Sequence, residues 1–382
     1  MRASIPASAF VAAVVGFGGT IAIVLAAADA VGATPAEKAS WVTAICLAQA
    51  AECLWLSWRY KMPIITAWST PGAALIAASA GFTMPEAVGA FIVTAVLLVA
   101  TGLFKPLTQL ISKIPTSVAS GMLAGVVVIF VINAAKTIPI DPWLILPLVA
   151  AFFVIRLYNP ALSVLAVLLG GGALAYLTGR IASLPAPELS TLTLIEPSFS
   201  ATALIGLALP LYLVTMASQN LSGLAVLRAA GYEPPAGPII AVTGLFSLLS
   251  APFGASTTNL AAISAAICTG PDTHPDPVER WKVGPFYALC YIVIAMFGGS
   301  LVAIFSALPQ TLIVLVAGLG LLAPLTNALA IALNEESERI AAVTTFAVTA
   351  SGLTLFGVGS AFWGLVAGLV VLLLGQLRRK PS

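Results

Sequence analysis

PIITAWSTPGAALIAASAG, residues 63 to 81, opens like a strand and closes like a helix. Its first residues mix β-branched side chains with Ser, Thr, Pro and Gly, which is no start for a membrane helix, and the rest is small and helix-forming. A second stretch, APFGASTTNLAAISAAICT at 251 to 269, follows the same plan. Each is too short to cross a bilayer as one helix, which needs about 20 residues. Laid one over the other with Thr70 on Thr258, an offset of 188, the residues Pro71 to Ala78 fall on Asn259 to Ala266. Paired, interrupted apolar segments at matching places in two halves of a chain are the pattern of a membrane transporter's binding site. Two buried Gly/Pro loops with a chance Ala-rich match would read the same way.

The remainder of the 382 residues sets the solvent. Hydrophobic residues make up 60% and charged residues 8%, and mean hydropathy is +1.08, whereas a soluble domain carries about 25% charge. Apolar runs recur from end to end without the alternation of barrel strands, so the chain reads as one polytopic, all-helical membrane domain. Residues 1 to 30 imitate a signal peptide, but the spans that follow make them a first helix. Cys46, Cys53, Cys268 and Cys290 form no CxxC pair and read as small core residues. The single histidine, His274, lies in a polar loop, which removes His-based metal or triad chemistry from the membrane interior. No metal, cofactor or nucleic-acid partner is expected, and the apolar spans offer no nucleophile with a base, so the chain does not read as an enzyme.

Apolar runs bounded by charge, Pro and Gly give fourteen segments, at roughly 8–28, 37–58, 63–80, 84–104, 114–133, 142–157, 160–178, 200–228, 236–250, 252–269, 283–306, 309–331, 338–355 and 358–377. With the N-terminus in the cytoplasm and one crossing per segment, the inner side receives Arg2, Arg59, Lys61, Lys105, Lys113, Arg156, Arg228, Arg280, Lys282, Arg339, Arg378, Arg379 and Lys380. The outer side keeps Lys38, Lys136 and Arg180. This asymmetry is the positive-inside pattern, and it requires both interrupted segments to cross. Both termini are then cytoplasmic. Seven segments per half is an odd number, so residues 1–183 and 196–382 are expected to be inverted repeats. Lys113-Ile114-Pro115-Thr116 before the fifth segment echoes Ala307-Leu308-Pro309-Gln310 before the twelfth, at an offset of 194. The link 179 to 199 reads as an extended outer connection, and the inner loop 270 to 282 as a solvated turn, with a gating role as the alternative.

Ionisable groups inside a bilayer are costly and usually functional. Glu52, inside the second segment, is either a buried carboxyl that takes up and releases a proton or a residue reaching a helix-end donor or the inner interface. The eighth segment, GLALPLYLVTMASQNLSGLAVLRAAGY, is interrupted by Thr215, Ser218, Gln219, Asn220 and Ser222. Amides at that depth must find partners, as glue between helices or as a clamp on a ligand. The half-helices are expected to begin at Thr70 to Gly72 and at Thr258 to Leu260, with Thr70 and Thr258 as N-caps and Ser69, Thr257 and Asn259 adding donors. Two such tips make an anion site without Arg or Lys. Trp68 and Phe17, the latter within Gly16-Phe17-Gly18-Gly19, could cover an aromatic ring or simply pack.

TAWSTPGAALI at 66 to 76, LPLYLVTMASQN at 209 to 220, AAISAAICTGPDTHPDP at 261 to 277 and TASGLTLFGVGSAFWGL at 349 to 365 resemble the bacterial benzoate/proton symporter family, BenE, over nearly the full length. The resemblance implies the fold shared with uracil/xanthine permeases and sulfate transporters. There, a core (here about 1–104 and 200–306) carries substrate past a gate (about 105–183 and 307–377), and the third and tenth segments are each a strand plus a half-helix. Uracil permeases of that fold use acidic residues on the eighth and tenth segments. Here Gln219, Asn220 and Asn259 stand in those neighbourhoods, which suits a carboxylate better than a nucleobase.

The expectation is proton-driven uptake of benzoate or a close aromatic carboxylate across a bacterial inner membrane. Backbone N–H groups at Thr70, Gly72 and Thr258 to Leu260, beside Pro71, would take the carboxylate, Gln219 and Asn220 with nearby Met216 would orient it, and Trp68 and Phe17 would hold the ring. Glu52, or the substrate's own carboxyl, would carry the proton. A dimer through the gate is what the resemblance implies. A permease for another small anion or a nucleobase, and a passive anion channel, stay open as alternatives.

Overall fold

The computed structural model describes residues 4–79, 81–104, 115–181, 186 and 188–379. Arg2, Lys105, Lys113, Ile114 and Lys380, used above, lie outside them. The chain forms α1 (Ser4–Ala30), α2 (Pro35–Tyr60), β1 (Thr66–Trp68), α3 (Thr70–Ala78), α4 (Met84–Leu103), α5 (Thr116–Lys136), α6 (Pro142–Tyr158) and α7 (Pro160–Leu177). After the link come α8 (Ala201–Ala229), α9 (Ala236–Ser250), β2 (Thr258–Leu260), α10 (Ile263–Thr269), α11 (Val283–Met296), α12 (Gly298–Ala307), α13 (Gln310–Gly320), α14 (Leu322–Ala332), α15 (Arg339–Ala350) and α16 (Ser360–Arg379). Seven helices are long and apolar enough to cross a bilayer, or eight if the bent pair α11 and α12 is counted as one span, and shorter apolar helices accompany them.

Local chemistry sets several boundaries. Pro35 opens α2 behind Thr34, whose hydroxyl accepts from Glu37 N–H while the Glu37 carboxylate accepts from Thr34 N–H, a reciprocal capping box. Thr83 and Glu86 repeat the arrangement at α4. The run 283–306, expected as one segment, bends by 64° at Phe297. The cause is the link between halves. Ser190 N–H donates to Met296 O, and Ser190 Oγ accepts from Gly299 N–H, so an outside segment inserts into the helix ladder.

The helices pack in two groups. In the first, α1 lies against α3, α10 and α11, α2 against α9, α11 and α12, and α4 against α9. In the second, α5 packs on α13, α14 and α15, α15 on α16, and α6 on α7. The groups touch where α1 meets α7 and α13, and where α3 meets α5. The link crosses one face of the first group, with Thr193 N–H on Ser40 Oγ, Ile195 N–H on Pro252 O and Ser198 N–H on Pro85 O. On the opposite face Lys61 stacks over Trp281 at 3.8 Å, and Ser4 donates to Thr273 O.

Candidate functional site

Halfway between those faces β1 and β2 pair antiparallel, with Thr66 opposite Leu260, Ala67 opposite Asn259 and Trp68 opposite Thr258. The two interrupted segments therefore meet, each as a strand followed by a short helix. The register differs from the one expected. Matching strand to strand sets Thr66 against Thr258, an offset of 192, because the Ala-rich helices that suggested 188 carry almost no register information. Two further expectations are corrected. Thr258 to Leu260 is strand rather than helix start, and Thr258 caps nothing: its N–H and hydroxyl are engaged by Ser247 and Glu52. At the other tip the cap is Ser69, whose Oγ accepts from Gly72 N–H at 3.0 Å, and Thr70 is the first helical residue.

The tips are unequal. In α3, Ser69 takes the N–H groups of Gly72 and Ala73, and Pro71 has none to offer. In α10 there is no side-chain cap, and among the described residues the N–H groups of Ile263, Ser264 and Ala265 have no hydrogen-bond partner. Orphan donors of this kind carry the partial positive charge of a helix start.

Around the crossing, Trp68 is buried, donates from Nε1 to Thr20 Oγ1 at 2.9 Å, and meets Phe17 edge-on at 5.6 Å. Tyr291 and then Tyr287 continue the aromatic row, with ring centroids 6.3 Å and 4.8 Å apart in turn. The buried Tyr287 hydroxyl has no hydrogen-bond partner among the described residues. In α8, Thr215–Asn220 widens into a π-helical turn, a device frequent at functional sites. Its Thr215 hydroxyl reaches Thr257 Oγ1 at 3.0 Å and Ser69 Oγ at 3.4 Å, joining both interrupted segments.

The neighbouring amides have different fates. Asn220 is buried, accepts from Leu260 N–H at 3.1 Å and faces the Met216 sulfur at 3.6 Å, so it fastens β2 to α8. Gln219 is half-buried and holds no hydrogen bond among the described residues. In its satisfying orientation the Asn259 amide accepts from Ser69 N–H and donates to Leu260 O, both at 2.9 Å, tying the strands together.

Glu52 is fully buried behind β2. One carboxyl oxygen meets Thr258 Oγ1 at 2.5 Å, and the other has no partner among the described residues. One turn earlier on α2, Gln49 is equally buried, and neither of its amide atoms has a partner among the described residues. A proton on Glu52 could donate to the Thr258 hydroxyl, which could turn its own proton to Thr243 O, 3.2 Å away.

The loop beyond α10 is not simply a solvated turn. Arg280 is buried, and its guanidinium donates to Thr269 O and His274 O, both at 2.7 Å, and to Pro275 O at 3.3 Å. It thus closes the carbonyl end of α10. Among the described residues it meets no carboxylate.

Sequence reasoning missed Thr20, Tyr287, Tyr291, Gln49 and Arg280. The tyrosines, four apart in an apolar run, had the look of ordinary packing, and the partners of Arg280 are backbone carbonyls that no side-chain pattern announces.

A strand pair buried between two helix starts, inside a bundle of apolar spans, defines a polytopic membrane transport protein. Solved structures of that architecture resemble the chain at the level of fold. The transmembrane domain of the cyanobacterial bicarbonate transporter BicA matches with a TM-score of 0.55 at 15% identity, over 95% of this chain and 96% of that one. Murine Slc26a9, an anion transporter in its inward-facing state, matches with a TM-score of 0.66 at 12% identity, over 99% of this chain and 69% of that one. Residues 2–374 match the family model BenE, benzoate membrane transport protein, and the chain belongs to that family of transporters. It is 40% identical over 361 residues to the inner membrane protein YdcO of Escherichia coli, covering 94% of this chain and 92% of that protein. It is 34% identical over 363 residues to the benzoate membrane transport protein of Acinetobacter baylyi, with the same coverage.

Proposed function

We propose that this protein imports benzoate, or a close aromatic carboxylate, together with protons by alternating access across a bacterial inner membrane. The observation that carries the reading is the antiparallel meeting of β1 and β2, which brings a helix start with unpaired N–H groups beside a row of aromatic rings at the crossing. N–H donors in a low-dielectric site hold an anion without a permanent cation in the membrane. The carboxylate would rest on the α10 tip, with Thr70 N–H as a lesser donor, Gln219 would orient it, and Trp68 with Phe17 would flank the ring.

Glu52 would carry the proton. Its link through Thr258 to β2 gives protonation a direct hold on the strand that leads into the α10 tip. The first helical group would be the moving core and the second the gate, with fourteen crossings arranged as two inverted sevens and both termini cytoplasmic. The name of the Acinetobacter relative supports benzoate, and that of the Escherichia relative supports the inner membrane.

The test is uptake of radiolabelled benzoate into proteoliposomes with an imposed pH gradient. Accumulation above the outside concentration is expected. No uptake beyond protein-free vesicles would remove benzoate as substrate, and benzoate-dependent current without accumulation would make the protein a channel.

A further inference from the structure

A cavity of about 320 Å³ opens between the two helical groups, towards the face that carries the α1–α2 turn, and no residue of β1 or β2 lines it. We propose that it is a second, outer docking site for an aromatic carboxylate, occupied before the anion reaches the crossing. The inference rests on the function proposed above and adds a site to it.

The lining has the composition such a ligand needs. Phe130 from α5 and Phe305 from α12 supply aromatic walls, one from each group. Asn133 and Gln310 line the same space, and among the described residues neither side chain holds a hydrogen bond, so both amides are free to meet a ligand. One cation is present, Lys38, paired with Asp29. The pair is lopsided: the Lys38 side chain is 19% exposed and that of Asp29 is 63% exposed. The lysine is therefore the inner member, and the aspartate lies over it on the solvent side. The Asp29 carboxylate is largely solvated, so exchanging it for a ligand's carboxylate forfeits little. The volume is at the small end of ligand pockets and suits a single ring rather than a nucleotide.

The floor connects the two sites. Ala317 lines this cavity and also the narrow crevice that contains Gly19, Thr20, Thr70 and Gly320. Thr20 is the hydrogen-bond partner of Trp68, so the crevice abuts the crossing. Between cavity and crossing the backbones of α1 and α13 touch, since a Cβ placed on Gly320 would lie 2.6 Å from Gly19 O. An anion held by Lys38 would wait above this closure until the two groups move apart. The arrangement divides the work: a formal charge near solvent draws the anion in, where its field reaches outward, and uncharged donors hold it where a formal charge would be costly.

The experiment is equilibrium binding of radiolabelled benzoate to the purified full-length protein, alongside proteoliposome uptake, for wild type, K38Q, K38R and D29N. Two benzoates per chain are expected for wild type and one for K38Q. The half-saturating concentration for uptake from the Lys38 side should rise about fivefold in K38Q at low salt, by less at high salt, with the maximal rate nearly kept. K38R should retain both sites, and D29N should tighten the outer one. A monodisperse K38Q with wild-type stoichiometry and half-saturation, or one benzoate per chain in a wild type that transports normally, would overturn the outer site alone. A wild type that neither binds nor transports benzoate would overturn the function on which it rests.

Discussion

The two interrupted segments share a plan and differ at the tip. Where α3 begins, Ser69 and Pro71 leave a single N–H, that of Thr70, without a partner among the described residues. Where α10 begins, three N–H groups have no partner among the described residues and no side chain caps them. The strands differ too, since Trp68 of β1 belongs to the aromatic row and Thr258 of β2 belongs to the carboxyl of Glu52. If the α10 tip and Glu52 act as proposed, the two interrupted segments have taken separate tasks: the first would shape the space, and the second would bind and sense. Pseudosymmetry alone would give each tip an equal share of the anion.

The largest test of this division is E52Q. A pH gradient of two units sustains about a hundredfold accumulation when one proton moves with each anion, at about 1.4 kcal/mol per unit. E52Q is expected to lose that accumulation while benzoate exchange between equal concentrations continues. Undiminished accumulation would take the proton away from the Glu52–Thr258 contact. Next comes a carboxylate placed at each tip. A262D at the free tip should weaken benzoate binding by about thirtyfold, and T70D at the capped tip by about threefold, because the competing charge meets three open donors in one case and one in the other. Equal losses would erase the distinction.

The adjacent amides of α8 sharpen the same point. Q219A should weaken binding about tenfold, on the order of one hydrogen bond to a charged group, with thermal stability kept. N220A should do the reverse, lowering stability by about 1–3 kcal/mol because Leu260 N–H is left unpaired, as thermal denaturation in detergent would record. The smallest effect is expected of S69A, which removes the α3 cap at a cost of about 1 kcal/mol. Its benzoate affinity should hardly move.

The sequence made the interruption of segments three and ten legible because Pro, Gly and β-branched residues contradict a membrane helix whatever surrounds them. Which residue faced which was not legible. Runs such as Gly72-Ala73-Ala74 and Ala261-Ala262 match at several offsets, and the strand pairing chose one four residues from the best-looking match. Phe17, Trp68 and Gln219 could be singled out as candidates because aromatic or polar side chains stand out beside Gly and Pro or within an apolar run. Tyr287 and Tyr291 do not stand out in GPFYALCYIVIAM. The bend at Phe297 was hidden for another reason, in that its cause, Ser190, lies more than a hundred residues away.

Arg280 explains how so short a helix can matter to an anion. Seven residues rise only about 10 Å, so the opposed partial charges at the two ends of α10 would largely cancel for anything bound at one of them. The guanidinium, seated on the Thr269 carbonyl at the far end, would offset the negative pole and leave the positive one less opposed. A full charge kept near the aqueous boundary is in this way lent to the interior, carried by a rod of peptide groups in place of a cation in the lipid.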